Sequence, residues 1–350
     1  MHPASNIHHP ASTIVPDATW QFYTFHFSIG FPMNVYVTRP IPQPGIDILE
    51  AAGATVTCNP DDRALTREEL HEAVQGRDGV LCLLSDRIDA DTMDAAGAQC
   101  RVFANYAVGF NNIDLDAARA RGIRITNTPG VLTDATADMA WALLFGAARR
   151  VVESDRFIRT GAWKSWGPMQ FISADITGRT LGIVGAGRIG TNMALKSAGF
   201  RMKVLYTGRR PNEELETHLG ARRVALEELL RESDFVSLHV PLNESTRHLI
   251  DDAALRLMKP SAILINTSRG PVVDEKALVA ALQRRQIAGA GLDVYEEEPL
   301  MAPGLAELDN VVLTPHTSSA TLTTRTKMAT MAATNLVAVL RGEEPPNPVV

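Results

Sequence analysis

The sequence predicts an α/β protein built from two doubly wound parallel sheets, and three observations carry this prediction. Short apolar segments alternate with helical segments from residue 35 onward, which is the pattern of repeated strand–helix units. A strand, the pattern Gly-x-Gly-x-x-Gly and a helix follow one another from residue 181, past the midpoint of the 350 residues. The length and the 45% hydrophobic content suffice for two cores of ordinary size.

The first series of strand–helix units is predicted to begin at Met33. Thr66 is expected to cap one of its helices, because a threonine oxygen can accept a free N–H of the first turn. Residues 1–32 contain no Lys or Arg and several prolines, and we expect a disordered extension there. The predicted strands are 35–37, 55–58, 79–84, 101–104 and 124–126, and the predicted helices are 46–52, 66–74, 91–96 and 114–121.

A long helix is predicted after the break at residues 128–130, with Thr133 or Asp134 as its N-cap and its end at Arg150. Its side chains are small or apolar nearly all round, so we expect it to be buried between domains or subunits. A second series follows, and a final helix at 322–340 is expected to pack back on the first series. The strands of the second series are predicted at 181–184, 202–206, 235–238, 262–265, 288–292 and 311–313.

The segment 181–190 matches the dinucleotide-binding pattern in its structural context. Gly185 permits the tight turn, Gly187 lets the backbone approach a pyrophosphate, and Gly190 lets the helix pack closely on the strand. The free N–H groups at the start of the helix, at Arg188 and Ile189, are expected to face the phosphates.

Two domains are therefore expected, one inserted into the other. Residues 130–316 are predicted to form a Rossmann domain that binds NAD(P). Residues 33–129 and 317–350 are predicted to form a split, flavodoxin-like substrate domain. The cleft between them, at the carboxyl ends of the strands, is the expected ligand site.

The strand after the fingerprint ends in Gly208, Arg209 and Arg210, without a carboxylate. An acidic residue at this position binds the ribose hydroxyls in NAD enzymes. Two guanidiniums can instead bind a 2′-phosphate through charge-assisted hydrogen bonds. The sequence therefore favours NADP as the cofactor, with NAD as the alternative.

Three polar side chains follow strands of the second series, namely Arg269, Glu298 and His316. Each alone has a plain structural explanation, but together they are the groups that hydride transfer to a 2-oxo acid requires. The arginine would hold the substrate carboxylate and polarise the carbonyl, and the histidine would give a proton to the developing alkoxide. The carboxylate would keep the imidazole protonated and fix its tautomer.

These residues and the segments 105–114, 127–133, 266–270 and 293–299 make the chain resemble the D-isomer-specific 2-hydroxyacid dehydrogenases from Met33 to its end. Within that family it is most similar to the glyoxylate/hydroxypyruvate reductases. The resemblance implies that Arg269 is the substrate arginine, Glu298 the partner of the histidine, and His316 the acid/base. Asn111 stands where many relatives have Asp, and no consequence is attached to it. The resemblance further implies substrate contacts at Leu84, Ser85, Val108 and Gly109, and cofactor contacts at Val240, Pro241, Thr246, Thr267, Ser268, Asp293 and Ser318.

The resemblance also implies a homodimer formed through the cofactor domain, with the helix at 134–150 as the interface element. Trp166, in the segment 161–166, is the candidate to reach into the partner's active site, and plain interface packing is the alternative for it.

The bulk properties exclude other classes of function. The net charge of −6 does not indicate the basic surface that nucleic-acid binding requires. No apolar run approaches the length of a membrane span. Cys58, Cys82 and Cys100 lack a Cys-x-x-Cys spacing, so we expect a cytoplasmic protein with reduced thiols and no metal.

The leading prediction is NADPH-dependent reduction of glyoxylate to glycolate and of hydroxypyruvate to D-glycerate. A D-3-phosphoglycerate dehydrogenase or another D-2-hydroxyacid dehydrogenase is the close alternative. A formate dehydrogenase is disfavoured, because it would pair glutamine with the histidine where this chain has Glu298. A dinucleotide-sensing corepressor is the alternative from a different class.

Overall fold

The computed structural model describes residues 33–350, and the extension predicted at residues 1–32 lies outside the described residues. A five-stranded sheet forms first, with every neighbouring pair parallel and the strand order β2-β1-β3-β4-β5. Its strands are β1 (Met33–Val37), β2 (Ala54–Cys58), β3 (Gly79–Cys82), β4 (Val102–Asn105) and β5 (Arg124–Thr126). The connecting helices are α1 (Gln43–Ala51), α2 (Arg67–Val74), α3 (Ala90–Ala96) and α4 (Leu115–Arg121).

A seven-stranded parallel sheet follows, with the strand order β12-β11-β10-β9-β6-β7-β8. The order reverses between β6 and β9, and open α/β sheets bind ligands at such a reversal. The strands are β6 (Thr180–Val184), β7 (Lys203–Thr207), β8 (Arg222–Arg223), β9 (Phe235–Leu238), β10 (Ile263–Asn266), β11 (Gly289–Leu292) and β12 (Val311–Leu313). The helices between them are α7 (Arg188–Lys196), α8 (Glu213–Leu219), α9 (Leu226–Glu232), α10 (Asp252–Leu257) and α11 (Glu275–Gln283).

The two sheets confirm the predicted α/β class. The predicted strands recur with shifts of one or two residues, and β8 was missed because two arginines give no hydrophobic signal. Thr66 caps α2 as predicted, and its backbone N–H donates to the Glu69 carboxylate in return.

The long helix α5 (Thr133–Ala148) differs from the prediction at both ends. Leu132 is its N-cap and provides no side-chain bond, because leucine has no acceptor atom. Asp134 lies within the helix and accepts a hydrogen bond of 2.7 Å from the Asn192 side chain. The helix stops before Arg150, whose φ of 52° is left-handed. A separate helix, α6 (Val151–Arg159), follows and was not predicted.

The interior of α5 is buried as predicted, but most of its apolar side chains lie in the core of the larger sheet. Burial between domains or subunits stays a prediction. Trp141 packs against Phe145 and Phe200, with ring centroids 5.3 and 5.4 Å away.

The final helix, α12 (Leu322–Leu340), matches its predicted bounds and packs against the five-stranded sheet. Gly45 in α1 allows the close approach, because a Cβ there would lie 2.8 Å from the Cβ of Ala329. The chain therefore returns to the first sheet after completing the second. The exact domain boundaries at residues 130 and 316 stay predictions.

The segment after α5 exposes an unusual amount of apolar surface. Trp166 is 79% exposed, and the other members of this strip are Val151, Ile158, Trp163, Met169 and Ile172. Among the helices of residues 33–350, none has the length and apolar character needed to cross a bilayer.

Candidate active site

A cavity of about 440 Å³ lies where loops of the two sheets meet. Its lining includes Asn111, Asn127 and Arg325, which the sequence analysis did not select. The predicted residues in the lining are Leu84, Val108, Gly109, Gly187, Arg188, Ile189, Val240, Pro241, Thr267, Ser268, Arg269, His316 and Ser318. The predicted residues outside it are Ser85, Gly185, Gly190, Gly208, Arg209, Arg210, Thr246, Trp166, Asp293 and Glu298.

His316 and Glu298 form a pair at the carboxyl edge of the seven-stranded sheet. Nδ1 of His316 lies 2.8 Å from a carboxylate oxygen of Glu298, and this contact leaves Nε2 available to a ligand. Burial raises the pKa of Glu298, but the hydrogen bond and charge of His316 outweigh it, so the pKa lies below its usual value. Glu298 is therefore ionised at neutral pH and can orient and stabilise a protonated imidazole.

The loop that carries His316 is fixed by a buried carboxylate beneath it. Asp293 is fully buried and accepts the N–H groups of Thr317 and Ser318, each at 2.8 Å. It also accepts the Thr314 hydroxyl at 2.6 Å. The predicted contact of Asp293 with the cofactor stays a prediction. In the structure its carboxylate lies under the loop and holds the backbone that directly follows His316.

The loop that carries Glu298 is held in a similar way by Glu275, which the sequence analysis missed. Glu275 is 5% exposed, and its carboxylate accepts the N–H of Glu296 at 2.7 Å and the N–H of Ala302 at 2.8 Å. The two bonded residues lie on either side of Glu298, so one buried carboxylate fixes both ends of its loop. No local signal in the sequence marks Glu275, because acidic residues are common in the first turn of a helix and its burial is visible only in the folded chain.

Arg269 reaches across to the loop of the five-stranded sheet. Its Nε donates to Oδ1 of Asn111 at 2.9 Å, which gives Asn111 a role that the sequence did not reveal. Its guanidinium lies against the backbone of Gly109, where an added Cβ would fall 2.0 Å from Nη2. Burial lowers the pKa of Arg269 and the charge of Glu298 opposes this shift. Arginine nevertheless stays protonated, so the cavity keeps its positive charge.

The backbone opposite Arg269 presents free donors. The carbonyls of Val108 and Gly109 accept side-chain bonds of 2.8 Å from Asn127 and Asn105, respectively. Within residues 33–350, the N–H groups of Val108 and Gly109 donate to no acceptor. These two donors and the guanidinium form a site suited to a small carboxylate.

The three glycines of the turn have the geometry that their predicted roles require. Gly185 has a φ of +97°, and a Cβ on Gly190 would lie 2.2 Å from the Gly185 carbonyl oxygen. A Cβ on Gly187 would meet no atom within 4 Å, so there is open space at the start of α7. The turn therefore fits a dinucleotide phosphate against its N–H groups.

The remaining predicted cofactor residues lie outside the lining of the cavity. Arg209 and Arg210 are exposed and form no ion pair in the described part of the chain. The Thr246 hydroxyl donates to the carbonyl of Pro241 at 2.6 Å and so holds its own loop. Within the described range, no group of three or more His, Cys, Asp or Glu side chains is arranged to bind a metal.

Comparison with known proteins gives consistent matches. Residues 141–318 match the family model for the NAD-binding domain of D-isomer-specific 2-hydroxyacid dehydrogenases. A glyoxylate reductase from Korarchaeum cryptofilum is 52% identical over 316 residues, which is 90% of this chain and 95% of that protein.

Two solved structures extend the comparison. A protein from Thermus thermophilus superposes with a TM-score of 0.85 at 48% identity, covering 91% of this chain and all of that one. An NADPH-dependent glyoxylate/hydroxypyruvate reductase from Sinorhizobium meliloti, solved with NADP and malonate, gives a TM-score of 0.78 at 32% identity. This second match covers 91% of the present chain and 97% of the other.

Proposed function

The chain belongs to the D-isomer-specific 2-hydroxyacid dehydrogenase family, and we propose that it reduces glyoxylate to glycolate and hydroxypyruvate to D-glycerate with NADPH. The observation that carries this proposal is the meeting of Arg269, His316 and the glycine turn at one cavity. The name of the Korarchaeum relative supports glyoxylate, and that of the Sinorhizobium protein supports hydroxypyruvate as well.

The proposed mechanism assigns binding and proton transfer to separate groups. Arg269 and the N–H groups of Val108 and Gly109 bind the substrate carboxylate and fix the carbonyl beside His316. When bound, the nicotinamide supplies the hydride that reduces the carbonyl carbon. Nε2 of His316 gives its proton to the carbonyl oxygen, and Glu298 stabilises the imidazolium before the transfer.

The preference for NADPH is proposed from the loop after β7. Arg209 and Arg210 offer two unpaired guanidiniums within the described residues, and no carboxylate there would repel a 2′-phosphate. The related Sinorhizobium enzyme is NADPH-dependent, which supports the same preference here. NAD is the alternative cofactor.

We further propose a homodimer in which the exposed strip around Trp166 is covered by a second copy of the chain. An apolar surface of this kind is typical of an interface. The free thiols of Cys58, Cys82 and Cys100 support the proposed cytoplasmic location.

The test is an assay of absorbance at 340 nm with glyoxylate, hydroxypyruvate and 3-phosphohydroxypyruvate, each with NADPH and NADH. We expect turnover of the first two substrates and a preference for NADPH. Replacing Arg209 and Arg210 with Ala should raise the Kd for NADPH by about tenfold or more and leave the Kd for NADH within about twofold.

Three outcomes would contradict parts of the proposal. An equal rise in the Kd for both cofactors would show that Arg209 and Arg210 do not bind the 2′-phosphate. Faster reduction of 3-phosphohydroxypyruvate than of the other two substrates would favour the phosphoglycerate dehydrogenase alternative. Tight binding of NADPH without turnover of any 2-oxo acid would favour a corepressor.

A further inference from the structure

The edge strand β8 places a third arginine on the loop that carries Arg209 and Arg210. The Arg223 guanidinium donates to the Gly208 carbonyl from Nε at 3.0 Å and from Nη2 at 2.8 Å. Nη2 also donates to the Arg209 carbonyl at 3.2 Å. All three contacts go to the backbone of this loop, so Arg223 constrains its conformation.

The other end of the same loop is tied to the glycine turn. The Asn212 side chain donates to the Ala186 carbonyl at 3.1 Å and to the Thr191 hydroxyl at 2.7 Å. The Asn212 N–H donates to the Tyr206 hydroxyl at 2.8 Å. Residues 208–211 are therefore held between Asn212 on the side of the turn and Arg223 on the side of the sheet edge.

The charges around this loop distinguish Arg223 from its neighbour. Within residues 33–350, Arg223 forms no ion pair, whereas Arg222 pairs with Glu228 at 3.3 Å and with Glu232 at 3.2 Å. Successive side chains of a strand point to opposite faces, so only one of the two arginines can reach the loop. Arg222 is therefore a matched control for Arg223, with the same residue type at the adjacent position.

We propose that Arg223 is a positioning residue that sets the preference for a 2′-phosphorylated dinucleotide. Carbonyl oxygens of the loop carry partial negative charge and would repel a phosphate, and Arg223 binds two of them. It also keeps the backbone that carries Arg209 and Arg210 in one conformation and adds an unneutralised positive charge beside them. This inference rests on the proposed function, because it assumes that the 2′-phosphate binds at this loop.

The test compares three full-length variants, Arg223→Ala, Arg223→Lys and Arg222→Ala, by titrating NADPH and NADH and by thermal melting without cofactor. Arg223→Ala should raise the Kd for NADPH by about tenfold and leave the Kd for NADH within about twofold. Arg222→Ala should leave both values unchanged within about twofold. Arg223→Lys keeps the positive charge but lacks the planar set of donors of a guanidinium. It should therefore restore only part of the NADPH affinity that Arg223→Ala loses.

The outcomes separate this inference from the proposed cofactor preference. If wild-type protein binds NADPH no more tightly than NADH, the proposed preference and this inference both fail. If wild-type protein prefers NADPH and Arg223→Ala keeps the same ratio of Kd values, only this inference is wrong. If Arg223→Lys binds NADPH as tightly as the wild type, the positioning role is wrong. If Arg223→Ala raises the Kd for NADPH and for NADH equally, Arg223 serves only the fold.

Discussion

The loops around His316 and the loop around Arg209 lie at the carboxyl edge of the same sheet, but different chemistry holds them. In the loops that carry His316 and Glu298, backbone N–H groups donate to the buried carboxylates of Asp293 and Glu275. In the second loop an exposed guanidinium of Arg223 donates to backbone carbonyls. The first region thus uses buried acceptors and the second uses a surface donor.

The difference follows from what each region has to do. Proton transfer by His316 requires a donor within hydrogen-bond reach of one oxygen atom, so small displacements are costly. Buried bonds to the backbone provide this precision. Recognition of a phosphate by Arg209 and Arg210 relies on long charged side chains, which tolerate movement as long as the loop keeps its place.

His316→Ala should give the largest effect, because it removes the proposed proton donor from the loop held by buried carboxylates. We expect kcat to fall by about a thousandfold or more, while the Kd for NADPH stays within about twofold. Steady-state kinetics and a fluorescence titration of the cofactor measure the two quantities. A comparable loss of affinity for NADPH would show that His316 also serves cofactor binding and would contradict the division of the two functions between the two regions.

Asp293→Asn should give the next largest effect, since it takes away one of the acceptors under the His316 loop. We expect kcat to fall by about a hundredfold. The free energy of unfolding should fall by about 1–3 kcal/mol, as measured by urea denaturation. Asp309→Asn breaks an exposed pair with Arg285 and serves as the control, with a stability change below about 1 kcal/mol. Equal effects of the two variants would refute the positioning role of Asp293.

Gly109→Ala extends the comparison to the opposite wall of the cavity. The new Cβ would collide with the Arg269 guanidinium, so we expect kcat/KM for glyoxylate to fall by about tenfold. Gly199→Ala is the matched control, because a Cβ there meets no atom within 4 Å and the residue has no positive φ. Unchanged kinetics of Gly109→Ala would place the substrate carboxylate away from Arg269.

The smallest effect that we expect is one on stability: Glu298→Gln should change how the free energy of unfolding depends on pH. The pKa of Glu298 is lowered in the folded state, so its ionised form stabilises the fold above the unfolded value of about 4.3. That contribution is lost as the pH falls through the lowered pKa. The difference in unfolding free energy between wild type and variant should therefore be present at pH 7 and shrink below about pH 4. A difference that grows in acid is incompatible with the proposed pairing.

Local sequence signals predicted much of the fold. The periodicity of 322–340 gave the bounds of α12, and the glycines at 185, 187 and 190 gave the turn before α7. The prediction of Thr133 or Asp134 as the N-cap of α5 was wrong, since both residues lie inside the helix. The bond that Asp134 accepts from Asn192 in α7 joins residues far apart in the sequence, so no local pattern contains it. The strand β8 was missed because its two arginines give no apolar pattern, whereas α6 was missed although its sequence is amphipathic.

The sequence by itself determined the two parallel sheets, the dinucleotide turn and the residue types that follow the strands. These features depend on neighbours within a few positions, where periodicity and backbone geometry act directly. Only the tertiary structure decided that Asn111 holds Arg269 across 158 residues, that Glu275 fixes the Glu298 loop, and that Arg223 rather than Arg222 reaches Gly208. A hydrogen bond needs its two atoms within about 3 Å, and for distant residues only the packing of the whole chain sets that distance.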